Sequence, residues 1–135
     1  MEKQTRGVRN NNPLNIRKGN NWQGELSPQS DAAFEQFSGM VWGLRAGFKV
    51  LKTYMQRAPR CNTLADIINR WAPPSENDTQ AYIDFVSRKT GIPPTMRLDF
   101  RESTKMVAII TAMCQMESNY TPSLPLCTQA YEMAR

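Results

Sequence analysis

The stretch Met106–Tyr120, MVAIITAMCQMESNY, decides the fold predicted for this chain. Its large apolar residues recur at helical spacing, as Met106, Ile109, Ile110 and Met113. At about 100° per residue, Glu117 points within roughly 20° of Met106 and so falls inside the same apolar stripe. The stretch therefore predicts a long helix that buries this stripe and carries one carboxylate near its end.

The position of Glu117 suits a general acid. Burial against apolar groups raises the pKa of a carboxyl, because it penalises the charged form, and an acid that keeps its proton near neutral pH can donate it. The polar run Ser118–Pro122 ends the helix, so Glu117 would lie on the last turn, at the rim of a cavity. The alternative is a glutamate that swings out to water from a fraying helix end.

Length and composition predict one compact domain over residues 1–135. The chain is 40% hydrophobic and 21% charged, which fits a single core. No apolar run approaches the roughly 20 residues of a membrane span, and the segment Met1–Arg6 lacks the apolar centre of a secretory signal. We expect a monomer that is made in a cytoplasm, does not insert into membranes, and is carried by something else if it acts outside.

The net charge of +5 should attract polyanions such as nucleic acid, anionic membranes or the acidic polymers of bacterial walls. Only the first stretch is densely basic, with Arg6, Arg9, Arg17 and Lys18. A nucleic-acid-binding module is one hypothesis. It is disfavoured because the Trp and Asn residues are not interleaved with basic residues along one helix, so we expect no nucleic-acid partner.

Histidine is absent, which excludes Ser-His and Cys-His nucleophilic catalysis and the usual zinc sites. The three cysteines, Cys61, Cys114 and Cys127, are odd in number and lack CxxC spacing, so neither a disulfide framework nor a metal site is expected. Cys114 should be a small core residue. We expect no cofactor, and carboxylates, Tyr, Lys, Ser and amides remain for chemistry.

The opening segment Arg9–Arg17, RNNNPLNIR, is too rich in Asn for regular structure. Its amides can cap backbone groups in a tightly ordered loop. They can also bind sugars, because an amide offers paired donors and acceptors to hydroxyl and N-acetyl groups. Asn12 and Asn15 are the candidates for that second role.

The remainder predicts a mainly α-helical fold with one small β-hairpin between Asn20 and Phe37. The hairpin would hold Trp22 and two carboxylates, Glu25 and Asp31. The predicted helices run from behind Ser38 to about Arg57, from a Thr63 cap through Trp71, from a cap among Ser75–Thr79 to Gly91, from an Asp99/Glu102 capping box to Glu117, and from Thr128 to Arg135.

Aromatic and acidic residues outside the long helix could also contact a sugar. Trp22 and Trp71 are platforms of the kind that stack on sugar rings, with core packing as the alternative. Glu76 could bind substrate, although a Glu beside a helix start is also favoured by the helix dipole.

Several motifs carry a family resemblance: Arg6–Arg17, Trp22-Gln23-Gly24, Gly43–Ala46 and Arg70–Tyr82. They resemble small phage and prophage proteins often called virion or structural proteins, which look like peptidoglycan hydrolases of the lysozyme superfamily. The resemblance covers nearly the whole chain. A more distant likeness is to the flagellar-type glucosaminidases, matched here by Asn11, Asn12, Trp22, Gly24, Thr79 and Tyr82.

In those glucosaminidases the acidic helix comes first, whereas here the segment Val107–Tyr120 resembles the Glu-Ser-Asn helix end of lytic transglycosylases. The resemblance therefore implies a circularly permuted lysozyme-like fold with the acid-bearing helix at the C-terminus. Phage relatives usually show Glu-Asn-Gly at this helix end, where this chain has Glu117-Ser118-Asn119.

The activity implied by the resemblance is cleavage of the β-1,4 bond between N-acetylmuramic acid and N-acetylglucosamine, by a muramidase or a lytic transglycosylase. Glu117 would be the acid, and Asp31 or Glu25 would supply a second carboxylate if one is needed. The implied partner is bacterial peptidoglycan, met at the cell wall or as part of a virion. The alternative is a virion protein that binds peptidoglycan without cutting it. The residues expected in the sugar groove are Asn12, Asn15, Trp22, Trp71, Glu76, Tyr82, Asn119 and Tyr120.

Overall fold

The computed structural model describes residues 4–135, and its regular secondary structure is almost entirely helical. The prediction of a mainly α-helical chain is confirmed. In chain order the helices are α1 (Arg6–Arg9), α2 (Met40–Gln56), α3 (Leu64–Trp71), α4 (Thr79–Thr90), α5 (Ser103–Ser118) and α6 (Leu124–Ala134).

Helix α5 is the predicted helix of the apolar stripe. The side chains of Met106, Ile109, Ile110 and Met113 are fully buried in it. The Asp99 backbone N–H donates to Glu102 Oε1 at 2.8 Å, as in the predicted capping box, but this pair forms a turn and the helix begins only at Ser103. Asn119 ends it in the left-handed conformation, with φ of 50°.

Side-chain caps mark the starts of α3, α4 and α6. The Thr63 cap of α3 is confirmed, and Asp78 caps α4, which ends at a left-handed Gly91. Helix α6 begins at Leu124 and not at the predicted Thr128, because the Ser123 hydroxyl accepts a hydrogen bond from the Leu126 N–H. Helix α2 begins at Met40 behind Gly39, one residue later than the predicted Ser38 cap implies.

The predicted hairpin between Asn20 and Phe37 is wrong in detail. Within residues 4–135 the segment makes two isolated antiparallel bridges, Arg17 with Phe34 and Glu25 with Phe37. Around these bridges, side-chain oxygens accept hydrogen bonds from backbone N–H groups that would pair with carbonyls in a regular hairpin. The Gln36 N–H donates to Gln29 Oε1, and Gln36 Oε1 accepts from the Ser30 N–H. We call residues 16–38 the bridge region.

The buried apolar residues of the described chain form one continuous core between the helices. Tyr131 of α6 is buried in this core. Its ring centroid lies 5.5 Å from that of Phe48 and 5.3 Å from that of Phe100, and its hydroxyl donates to the Phe100 carbonyl at 2.7 Å. Cys114 is buried as predicted, and Cys61 and Cys127 are also buried free thiols. None of the helices within residues 4–135 is long and apolar enough to cross a bilayer.

Close backbone approaches bring α1 and the opening segment against α5 and α2. A Cβ on Gly7 would lie 2.0 Å from Ser118 Oγ, and a Cβ on Gly43 would lie 1.9 Å from the Asn11 carbonyl oxygen. Glycine at both positions therefore lets α1 reach the end of α5 and lets the following turn reach α2. The Thr5 hydroxyl adds a hydrogen bond to the Ser118 carbonyl at 2.8 Å.

Candidate functional site

A groove of about 730 Å³ lies where the opening segment, the bridge region, α2, α3 and the end of α5 meet. Its volume is in the range of small-ligand sites. Glu117 lines it, as do the amides of Asn15, Asn20 and Asn77. Four aromatic side chains also line it: Trp22, Phe34, Tyr54 and Trp71.

The carboxyl group of Glu117 is held by one of its two oxygens. Oε2 accepts a hydrogen bond from Trp71 Nε1 at 3.1 Å and another from the Tyr82 hydroxyl at 3.0 Å. No side chain or backbone group of residues 4–135 donates to Oε1, which stays accessible to solvent. The half-buried side chain is therefore fixed in orientation and presents one free oxygen.

Tyr82 supports Glu117 from behind, because it is buried and does not line the groove. Burial raises the pKa of its phenol, and the neighbouring Glu117 charge raises it further. The hydroxyl therefore stays protonated and remains a donor. The sequence predicts Tyr82 as a groove residue; in the structure it contacts Glu117 and orients the carboxyl, and it does not line the groove.

Asn15 contacts the same glutamate through the main chain. Its Nδ2 donates to the Glu117 carbonyl at 3.1 Å, and its own backbone is left-handed, with φ of 53°. The side-chain oxygen of Asn15 and the hydroxyl of Ser118 are both buried without a hydrogen-bond partner among the described residues. Asn15 thus lines the groove and ties the opening segment to the end of α5.

Asn12 is placed differently from its prediction as a sugar ligand. It is fully buried, and its Nδ2 donates to the Ile16 and Glu35 carbonyls while its Oδ1 accepts from the Ile16 N–H. All of these partners are backbone groups. Asn12 therefore organises the opening loop, and its amide is not free to bind a ligand.

Asp31 does not line the groove, so we do not place the second carboxylate there. Its oxygens accept from Arg6 Nε at 2.7 Å and from the N–H groups of Phe34 and Ala33. These partners, Arg6 foremost, hold the pKa of Asp31 well below its usual range. Asp31 is a fully occupied acceptor that anchors α1 to the bridge region.

Glu25 also lies outside the groove lining, beside a second carboxyl that the sequence reasoning missed. Glu25 Oε1 accepts from the Trp22 N–H at 2.9 Å. Glu35, its neighbour, is 4% exposed, and Glu35 Oε2 has no hydrogen-bond partner among the described residues. Burial and the hydrogen bond with Glu25 raise the pKa of Glu35 to about 7, while the same hydrogen bond lowers the pKa of Glu25.

The other predicted contact residues divide between the groove and its surroundings. Trp22, Trp71 and Glu76 line the groove, and the Glu76 side chain is exposed. Asn119 caps α5 and Tyr120 packs against the core, and neither lines the groove. Glu76 is therefore the second carboxylate, besides Glu117, in the groove formed by residues 4–135.

Several lining residues escaped prediction because most of them come from irregular segments, and one, Tyr54, lies at a half-buried position of α2. Asn20, Asn77, Phe34, Tyr54, Arg17 and Arg57 are in this group. Glu35 did carry a signal, since it lies two positions before the buried Phe37 and so shares its inward face in an extended chain. Within residues 4–135, no three acidic or cysteine side chains converge as a metal site.

The sequence of the chain is similar to that of a curated phage protein. The chain is 44% identical over 121 residues to Protein P5 of Pseudoalteromonas phage PM2, and the match covers 87% of this chain and 73% of the relative. The chain belongs to the family of this phage protein. No protein-family model matches it. The predicted association with phages is thereby confirmed.

Proposed function

We propose that this phage-family protein binds the glycan strands of peptidoglycan in the groove and cleaves them with Glu117 as the general acid. The main support for the proposal is that Glu117 lines a groove large enough for a ligand, with one carboxyl oxygen held by two hydrogen bonds and the other free. A general acid needs a defined orientation toward the leaving oxygen, and Trp71 and Tyr82 supply it through Oε2.

The hydrogen bonds also determine which oxygen can carry the proton. Oε2 already accepts from two donors, so a proton on this carboxyl belongs on Oε1. Oε1 has no donor among the described residues and is accessible to solvent, and Glu117 lines the groove. A glycosidic oxygen placed beside it would accept that proton as the bond to the sugar breaks.

The remaining lining suits a saccharide strand. Asn15, Asn20 and Asn77 offer amides to hydroxyl and N-acetyl groups, and Trp22 and Trp71 offer ring surface to sugar faces. Glu76 is the carboxylate available to meet developing positive charge or to activate water, and a lytic transglycosylase would need no such group. The position of the acid at the end of α5 supports the hypothesis of a circularly permuted lysozyme-like fold.

The test is the loss of wall-cleaving activity in Glu117→Gln. This variant keeps the shape of the side chain and can still accept from Trp71 and Tyr82, but its amide cannot donate a proton as an acid does. We expect it to fold normally and to leave purified cell walls turbid. Glu132→Gln, an exposed position on α6, is the matched control and should clear walls like the parent protein.

Mass spectrometry of the released fragments defines the reaction. Anhydromuramic ends would identify a lytic transglycosylase, and reducing muramic ends a muramidase. Full wall clearance by Glu117→Gln would overturn the assignment of the acid.

A non-catalytic phage protein that binds peptidoglycan is the second candidate. The observation that favours it is that Glu117 Oε2 joins α3 and α4 to α5 through Trp71 and Tyr82, which is a structural role that needs no chemistry. Such a protein would pellet with cell walls and release no fragments, and neither the parent protein nor Glu117→Gln would change their turbidity.

A further inference from the structure

Two arginines line the groove and a third lies beside one of its aromatic residues, and none of the three has an acidic partner in residues 4–135. Arg17 and Arg57 line it directly, and Arg70 lies against Tyr54, which lines it. The ion pairs of the described chain use other cations, namely Arg6, Arg101, Lys105 and Arg135. The positive charge at the groove is therefore available to a ligand.

Two of these guanidinium groups are held by aromatic rings of the groove wall. The Arg17 guanidinium lies 5.0 Å from the Phe34 ring centroid, and that of Arg70 lies 4.4 Å from the Tyr54 ring centroid. Stacking restricts a side chain before binding, so less freedom is lost when it pairs with an anion. A guanidinium matches a carboxylate especially well, because its parallel N–H groups bind both oxygens.

We propose that Arg17, Arg57 and Arg70 bind the free carboxylates of the peptide stems that peptidoglycan carries on its lactyl groups. The groove would thereby select an acidic, peptide-bearing glycan over a neutral N-acetylglucosamine polymer. Glu76 would repel a carboxylate beside it, so the arginines also favour one placement of the strand. The inference rests on the proposed function, since it assumes that the groove takes a glycan.

Binding assays can test this selectivity without any cleavage. All variants are made in a Glu117→Gln background, and binding is measured to sacculi from a Gram-negative bacterium, which lack teichoic acid, and to soluble chitin oligosaccharides. The triple variant R17Q/R57Q/R70Q is compared with R88Q. Arg88 is the matched control, because it also lies over an aromatic ring, 5.8 Å from the Phe85 centroid, but outside the groove lining.

We expect the triple variant to bind sacculi about tenfold more weakly at low salt, with little remaining salt dependence. Its affinity for chitin oligosaccharides should be unchanged, and R88Q should behave like the background protein. Unchanged sacculus binding in the triple variant would overturn the inference, as would an equal loss by R88Q or a parallel loss of chitin binding.

The failure of the proposed function would have a different signature. If the Glu117→Gln background protein binds neither sacculi nor chitin, the groove does not bind a glycan, and the inference about the arginines fails with the proposed function. If every variant binds sacculi and chitin as well as the background protein does, the groove still binds glycans, and only the role of the arginines is contradicted.

Discussion

The Tyr82 hydroxyl donates to Glu117 Oε2 over a distance of 3.0 Å, which joins the first part of α4 to the last turn of α5. Because Tyr82 is buried and absent from the groove lining, it acts on the carboxyl and not on a ligand. The Trp71 indole donates to the same oxygen from α3. The orientation of Glu117 therefore depends on both helices.

Removing the Tyr82 hydroxyl should lower the rate of wall cleavage while costing little stability. In Tyr82→Phe, Glu117 Oε2 keeps the Trp71 donor, so we expect a stability loss of about 1 kcal/mol and a fall in wall-cleavage rate of about tenfold. Thermal melting and turbidity assays measure the two effects. Tyr131→Phe is the control: it removes a buried hydroxyl that donates to the Phe100 carbonyl, and it should cost stability without a specific loss of rate. Equal rates for Tyr82→Phe and the parent protein would contradict an orienting role.

The buried Glu35 carboxyl should make the protein less stable as the pH rises. Its pKa is raised to about 7 in the fold, above its ordinary value of 4.5, so the folded state binds the proton more tightly. The stabilisation is complete below about pH 4.5 and is lost as the pH rises through about 7. We expect the free energy of unfolding to fall by on the order of 1 to 3 kcal/mol between about pH 5 and pH 8.

Glu35→Gln is expected to flatten that pH dependence, because an amide does not titrate. Urea unfolding at a series of pH values measures the effect, with Glu132→Gln as an exposed control. A parallel decline in the Glu35→Gln variant would show that another group causes it. Lys18 and Glu25 are the charged groups that influence the pKa of Glu35, so Lys18→Met should shift the decline to higher pH by removing a charge that lowers this pKa.

The opposite pH dependence is expected from Asp31. Its pKa is lowered in the fold, so its stabilisation is present above the ordinary value of 3.8 and is lost as the pH falls below that range. Asp31→Asn should lower the Tm at neutral pH and should reduce the loss of stability in acid. Asp84→Asn, at an exposed helix position, is the comparison. An unchanged acid transition in Asp31→Asn would contradict the anchoring role.

Position 7 should accept no residue larger than glycine, because Gly7 lies directly against Ser118. A Cβ at Gly7 would lie 2.0 Å from Ser118 Oγ and 2.9 Å from the Asn12 carbonyl oxygen, so Gly7→Ala must displace α1 or the end of α5. We expect a loss of about 1 to 3 kcal/mol, as for overpacked sites. The double variant G7A/S118A should recover part of it, because the nearer of the two contacts disappears. Additive losses in chemical unfolding would show that the two residues do not interact.

The sequence determined the helices and the acid-bearing stripe. Met106, Ile109, Ile110 and Met113 recur at a spacing that only a helix can bury on one side, and their burial depends on that local periodicity. Caps such as Thr63 are equally local, because the hydroxyl and the N–H group that it accepts from lie three residues apart. The association with a phage family was likewise readable from the motifs and is confirmed by the relative.

Only the tertiary structure decided the roles of the polar residues. Asn12 and Asn15 are three positions apart in one loop, yet Asn12 is sealed by backbone partners and Asn15 faces the groove. Asp31 and Glu35 are both acids of the bridge region, but Arg6 keeps one charged while burial beside Glu25 favours the proton on the other. A polar side chain's role is set by the partners that folding brings to it from distant parts of the chain, and such partners leave no periodic trace in the sequence.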